Sequence, residues 1–278
     1  FVIADADGNV IAAGGDISRP VFPRSAIKSM QALAMVTSGA LDRFALSDEQ
    51  LALACASHHG EEVHVTKVAG FLGGLGLSET NLECGAHQPT NGRARVALRA
   101  AGLEPTALHN NCSGKHSGFL TVTKHLKAGP EYVELDHPLQ KAVKASFEEV
   151  TGETSAGYGI DGCSAPNFAM SVAGLARAMA EFAKAGAGGS VRERAMQRLR
   201  DAMAAHPEYV AGEGRSCTEL MRAMGGRVAI KTGAEAVFIA MIPEKKLGLA
   251  LKIEDGNSRA SEAALVAILA RLGVLDAA

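Results

Sequence analysis

An α+β fold is predicted for this chain: an antiparallel sheet built from both chain ends, with a large helical middle packed on it. Three observations predict it. Two short apolar runs, 1–4 and 10–13, flank the turn Asp5-Ala6-Asp7-Gly8-Asn9 at the start. Three more strand-like runs, 227–231, 235–242 and 247–253, follow one another near the end, the last two joined through Pro243-Glu244-Lys245-Lys246. Between these two regions the apolar residues recur with helical rather than alternating spacing. This order suits one domain over 1–278, with the sheet from about 1–24 and 226–278 and the helices from about 25–225.

The first helix opens at Ser25 and carries Met30, Leu33, Ala34, Met35 and Val36 to a glycine stop at Gly39. Ser47-Asp48-Glu49-Gln50 has capping-box form and opens a second helix. Another spans 61–72, ahead of Gly73-Gly74, and further helices fit 116–127, 138–150, 167–184 and 191–205. The run Ala185-Gly186-Ala187-Gly188-Gly189 is a flexible connector between the last two, and an amphipathic helix over 258–272 closes the chain. Because Phe1 already lies inside a strand, a segment upstream of it is expected.

Composition excludes several functions. Lys and Arg number 28 against 30 Asp and Glu, with no basic stripe, so nucleic acid is not an expected partner. No apolar run is long and uncharged enough to span a membrane. Tryptophan is absent and aromatic residues make up 4%, which argues against a stacked sugar or base site. Cys55, Cys84, Cys112, Cys163 and Cys217 form an odd set without a paired framework, so a reducing, cytoplasmic setting is expected.

The chemistry points to two short strings far apart, Ser25-Ala26-Ile27-Lys28 and Lys231-Thr232-Gly233. On a helix, Ser25 and Lys28 share one face, and a neutral lysine there can take the serine's proton. Lys231, entering from a strand, sets a second cation beside the first and lowers the pKa of one of them. Both strings have the order of the S-x-x-K and K-T-G elements of active-site-serine amidohydrolases related to penicillin-binding proteins and class A β-lactamases. One S-x-x-K arises by chance in roughly every chain of this size, so the weight rests on the pair and its placement. Three further polar clusters stand out: 56–61 with Ser57, 109–118 with Cys112, Lys115 and His116, and 159–166 with Asp161 and Cys163. Ser57 beside Gly60 also reads as a plain helix cap, and the two cysteines, taken alone, as inert buried thiols.

Taken together and in order, 22–28, 56–61, 109–118, Asp161-Gly162-Cys163 and 231–235 resemble the rhizobial-type L-asparaginase family, also called asparaginase II. The resemblance implies a serine β-lactamase-like fold, hydrolysis of L-asparagine to L-aspartate and ammonia, and one zinc ion per chain. It places the metal on Cys112, Lys115 and Cys163, and the serine–lysine pairs on Ser25 with Lys28 and Ser57 with Lys231. Ser25 is the expected nucleophile. Arg24, His116 and Asp161 are expected to meet the substrate, Arg24 as the fork for its α-carboxylate and Asp161 as the orienter of a metal-bound water. A homodimer is the expected assembly. Two other readings stay open: another serine amidohydrolase on this fold (a glutaminase, peptidase or esterase), or a silent binding module, against which the intact serines and lysines count.

Overall fold

A computed structural model describes residues 1–276; positions 277 and 278 of the expected domain lie outside the described residues. Strand β1 (Val2–Asp5) turns into β2 (Val10–Ala13) through Asp5, whose carboxylate accepts from the amides of Asp7 and Asn9. A short β3 (Pro20–Val21) leads to a 3₁₀ turn, Arg24–Ile27, and then to helix α1 (Lys28–Thr37). The helical middle follows as α2 (Ala40–Arg43), α3 (Asp48–Ala54), α4 (Glu62–Gly74), α5 (Gly92–Ala100), α6 (Ser113–Leu126) and α7 (Pro138–Thr151). Strands β4 (Tyr158–Ile160), β5 (Pro166–Phe168) and β6 (Met170–Ser171) interrupt it before α8 (Val172–Lys184), α9 (Val191–Ala205), α10 (Pro207–Val210) and α11 (Ser216–Ala223). The chain closes with β7 (Ala229–Gly233), β8 (Val237–Ile242), β9 (Leu247–Lys252) and α12 (Ser258–Arg271).

The main sheet has the order β2-β1-β9-β8-β7, and every neighbouring pair is antiparallel. Both chain ends therefore build it, as the sequence predicts, with Val2 opposite Ala250 across β1 and β9. β8 is an unbroken apolar run, Val237-Phe238-Ile239-Ala240-Met241-Ile242, buried at every position. Such a run suits a strand covered on both faces, and β8 packs against α8 and α12. α1 packs against α6, α7 and α9 and buries Met30, Leu33 and Met35. The expected first helix is thus the central one of the helical middle. It carries Lys28 at its N-terminal end, next to the sheet.

The structure departs from the expected elements in several places, beginning with the first helix, which opens at Lys28 after a 3₁₀ turn rather than at Ser25. The helix expected over 167–184 begins at Val172, because Pro166-Asn167-Phe168 pairs with Tyr158–Ile160 and Met170-Ser171 with Pro20-Val21. Ser171 then caps α8, its hydroxyl accepting from the Gly174 amide at 2.9 Å. α4 runs through the expected stop at Gly73-Gly74, and α6 starts three residues before position 116. Finally, α2, α5, α10 and α11 lie outside the expected set. α5 buries no side chain fully; its apolar face is only the half-buried Ala94 and Leu98, one turn apart and flanked by arginines. Among the described residues no helix is long and apolar enough to cross a membrane.

Candidate active site

Glycine at position 233 decides where the first serine sits. A Cβ there would come 2.3 Å from the Pro23 carbonyl oxygen, so only glycine lets the turn bearing Ser25 dock on β7, the strand bearing Lys231. Within that turn Arg24 has a φ of 53°. This left-handed conformation costs a residue with a Cβ about 1–2 kcal/mol. Its guanidinium is held on both sides: it donates to Asp161 at 2.7 and 2.8 Å and pairs with Glu235. The fork expected for a substrate carboxylate is therefore already engaged by two carboxylates of the protein.

Ser57 follows the end of α3 and is fixed through the backbone. Its amide donates to Val210 O at 2.8 Å, and that of His58 to Asn111 O at 3.2 Å. His58 meets Ser113 Oγ at 2.9 Å, accepts from the Gly60 amide at 3.1 Å and stacks on His64 with ring centres 4.8 Å apart. Burial first, then the neighbouring His64 and Lys28, hold His58 well below the ordinary imidazole value. It is a neutral positioning group that pins the Ser57 turn.

Both lysines converge on Ser57. Lys28 Nζ donates to Ser57 Oγ at 3.0 Å, to Cys112 Sγ at 3.1 Å and to the Ala56 carbonyl, which gives its three N–H groups three acceptors. Lys231 Nζ lies 3.0 Å from Ser57 Oγ and 2.7 Å from the Thr232 carbonyl oxygen. Both amines are buried. Burial first, and the Lys28 charge second, lower the Lys231 pKa to about 7, so this amine is substantially neutral at physiological pH. The expected contact between Lys28 and Ser25 is not made. Lys28 stands three residues on from Ser25, but α1 begins only at Lys28, and the 3₁₀ turn before it gives Ser25 a different direction. Ser25 makes no side-chain hydrogen bond to a described residue and lines two neighbouring cavities.

The first cavity, about 270 Å³, is lined by Ser25, Ser57, Thr90, Asn111, Arg215 and the hairpin turn after Lys231. The second, about 180 Å³, is walled by Arg24, Ser25, His87, Cys112, Asp161 and Cys163. With this geometry in view, the sequence was compared with known proteins. The L-asparaginase II family pattern matches residues 1–278, the whole chain. The chain belongs to the L-asparaginase II family. A search of curated proteins finds no match to it.

The residues expected to hold metal in this family member come together behind the second cavity. Lys115 Nζ lies 3.0 Å from Cys163 Sγ, and Lys28 bridges from Ser57 to Cys112. The Cys163 thiol is held well below its ordinary value by its interaction with Cys112; burial opposes this, and the Lys115 charge supports it. Cys112 is pushed well above by Cys163 and by burial. Burial disfavours the charge on Lys115, yet the two sulfurs outweigh it and raise its pKa. Among the described residues no group of three or more His, Cys, Asp or Glu side chains is disposed to hold a metal ion. The expected set falls outside that pattern because one member is a lysine.

Asp161 lies where it can act on the second cavity. It accepts from Arg24, from the Gly162 amide at 3.0 Å and from Asn167 Nδ2 at 3.2 Å. His116 does not reach either cavity. It is fully buried, its Nδ1 is 2.9 Å from the Tyr132 hydroxyl, and its Nε2 has no partner. It stands on α6 next in the chain to Lys115, buried and outside the lining of both cavities. Sequence reasoning missed Arg215, which reaches the first cavity from the loop before α11. The glycine-punctuated string Gly212-Glu213-Gly214-Arg215 is the signal that could have found it.

Proposed function

We propose that the protein hydrolyses the side-chain amide of L-asparagine to L-aspartate and ammonia through a serine nucleophile. One observation carries the reading: Ser57 Oγ lies 3.0 Å from two buried lysine amines at the floor of a cavity that Ser25 also lines. A cavity of about 270 Å³ suits a ligand of amino-acid size. It falls below the roughly 300–1,000 Å³ of sites for drug-sized ligands and so speaks against a peptidase. The family supplies the amide. We read the fold as serine β-lactamase-like, on the serine-bearing turn at the head of a central helix facing a lysine-bearing strand.

Ser25 attacks the amide carbon, being the serine with an unengaged hydroxyl at the junction of the two cavities. Its proton passes through Ser57 to the neutral amine of Lys231, while Lys28, donating to Ser57 Oγ, holds that hydroxyl in the path. The amides of Ser25 and of the hairpin after Lys231 receive the oxyanion, a contribution of about 3 kcal/mol per donor. Lys231 returns the proton to the departing nitrogen, ammonia leaves and an ester remains on serine. A water molecule, deprotonated along the same path, attacks the ester carbonyl and releases aspartate with the serine restored.

The paired thiols, the Lys115 amine and the orphaned Nε2 of nearby His116 make a buried nitrogen and sulfur donor set that suits zinc. Cys112, Lys115 and Cys163 are the residues that would hold the ion, whose bound form supplies Lewis-acid polarisation and fixed positive charge beside the serines. A cytoplasmic homodimer fits this reading.

A second reading has Ser57 itself attacking, favoured by its direct contact with Lys231. Ammonia release from asparagine and glutamine, and ring opening of a β-lactam, measured in parallel, test the substrate. Acid quenching during turnover and peptide mapping of the aspartyl ester tests the nucleophile. Ester on Ser25 is expected; ester on Ser57 establishes the second reading, and no ammonia from asparagine overturns both.

A further inference from the structure

The first cavity contains a guanidinium that the chemistry above leaves unused. Arg215 sits at the N-cap position of α11, where its amide donates to Gly212 O at 3.3 Å and its carbonyl oxygen accepts from Glu219 N at 2.9 Å. Positive φ angles at Gly212 (112°) and Gly214 (72°) fold the loop so that Arg215 lines the cavity with Ser25 and Ser57. The carboxylates nearest in the chain are engaged elsewhere. Glu213 makes a two-pronged bond to Arg222 at 2.7 Å on both arms, Glu219 accepts from the Gly214 amide at 3.2 Å, and Glu262 accepts from Ser216 Oγ at 2.9 Å. Among the described residues the Arg215 side chain has no hydrogen bond or ion pair, although it is only partly exposed. Arg24, by contrast, is closed off by Asp161 and Glu235.

A half-buried guanidinium with a free fork, facing a cavity whose other lining residues leave it unpaired, selects a planar anion. Resting on the amidohydrolase reading, we propose that Arg215 binds the α-carboxylate of the substrate. It thereby restricts the site to free amino-acid amides, against amides within a peptide chain or those whose carboxylate is esterified. The selectivity follows from the missing partner: an ester or peptide bond in that place leaves a half-desolvated charge without its anion.

Two measurements on the full chain decide it. In the first, kcat/KM for ammonia release is compared for L-asparagine and its α-methyl ester, in wild type, Arg215→Gln and Arg215→Lys. Arg215→Gln is expected to lower the value for asparagine about 10- to 100-fold, mostly through KM, and that for the ester by less than about threefold. Arg215→Lys, which keeps the charge but not the fork, falls between. The second is calorimetric titration with L-aspartate, which needs no turnover; Arg215→Gln should weaken binding by the same factor at an unchanged melting temperature. Equal losses on both substrates overturn the inference, as does undiminished aspartate affinity in Arg215→Gln or a wild type that binds no aspartate. If wild type releases no ammonia from asparagine the proposed reaction falls, and the aspartate titration still decides the role of Arg215.

Discussion

Replacing Lys28 by methionine tests the electrostatics of the site most directly. Lys28 Nζ and Lys231 Nζ each lie 3.0 Å from Ser57 Oγ, so the two amines are at most about 6 Å apart. With an effective dielectric constant of about 20, two unit charges at that separation repel by about 2.8 kcal/mol, or about two pH units. Lys231 therefore titrates near pH 7 with Lys28 in place, and should titrate near pH 9 in Lys28→Met. In wild type, kcat/KM for ammonia release should rise with pH to a plateau, with its midpoint near 7, because the base must be neutral. The variant's profile should be displaced to alkaline pH as well as lowered. Should Lys28→Met prove inactive, the Lys231 signal in protein labelled with ¹³C at the lysine ε-carbon, assigned through Lys231→Met, reports the same displacement. A Lys231 midpoint that stays near pH 7 in folded Lys28→Met would refute the argument that one lysine depresses the other.

Three further expectations rest on the same geometry. Lys231 is depressed in the fold, so between about pH 7 and 10.5 the unfolded chain binds more protons and stability rises with pH. Lys231→Met should accordingly melt above wild type at pH 6 and lose that advantage by about pH 10; a constant difference in melting temperature across this range contradicts it. Ser25→Ala and Ser57→Ala should each cut turnover by several powers of ten, and the double variant should be little worse than either, whereas additive losses would show that the two serines do not share one proton path. Zinc titration of the metal-free protein should show about one ion bound per chain and release of about two protons near neutral pH, since a lysine ammonium and a thiol must both ionise to become ligands. Cys112→Ser with Cys163→Ser should abolish uptake, and stoichiometric zinc in that double variant rules out the ligand set.

The sheet was legible because its strands are short, apolar and bounded by turn residues, and because Lys231-Thr232-Gly233 marked where the lysine-bearing strand ends. Segments that pair through backbone rather than side-chain pattern were not: Pro166-Asn167-Phe168 reads as the start of a helix until Tyr158–Ile160 lies beside it. Ser25, Lys28 and Lys231 were readable from motifs and Ser57 from the family resemblance, which also paired Ser57 with Lys231; the partner of Lys28 was not readable. Helical spacing put Lys28 on Ser25, whereas the chain enters α1 through a 3₁₀ turn and the amine reaches across to Ser57. Arg24 looked like an available fork because its two acidic partners stand 137 and 211 residues away in the sequence. Arg215 was silent for the converse reason: nothing in a glycine loop tells which of its charges will be left unpaired.

The placement of β1 between β2 and β9 has a consequence for biosynthesis. Val2 pairs with Ala250, so β1 has no inner neighbour until about 250 further residues have been made. At about 5–20 residues per second, the intervening chain of about 250 residues takes on the order of 10–50 seconds to emerge. For most of that interval Lys231 has not yet been made, and Ser57 has no second amine to meet. A nascent chain can assemble α1 and the helices around it, but without the Lys231 amine beside Ser57 the proton path is incomplete. Activity should therefore appear abruptly, when the closing hairpin docks on the turn bearing Ser25, and any delay in that docking leaves the unpaired edge of β1 open to other chains.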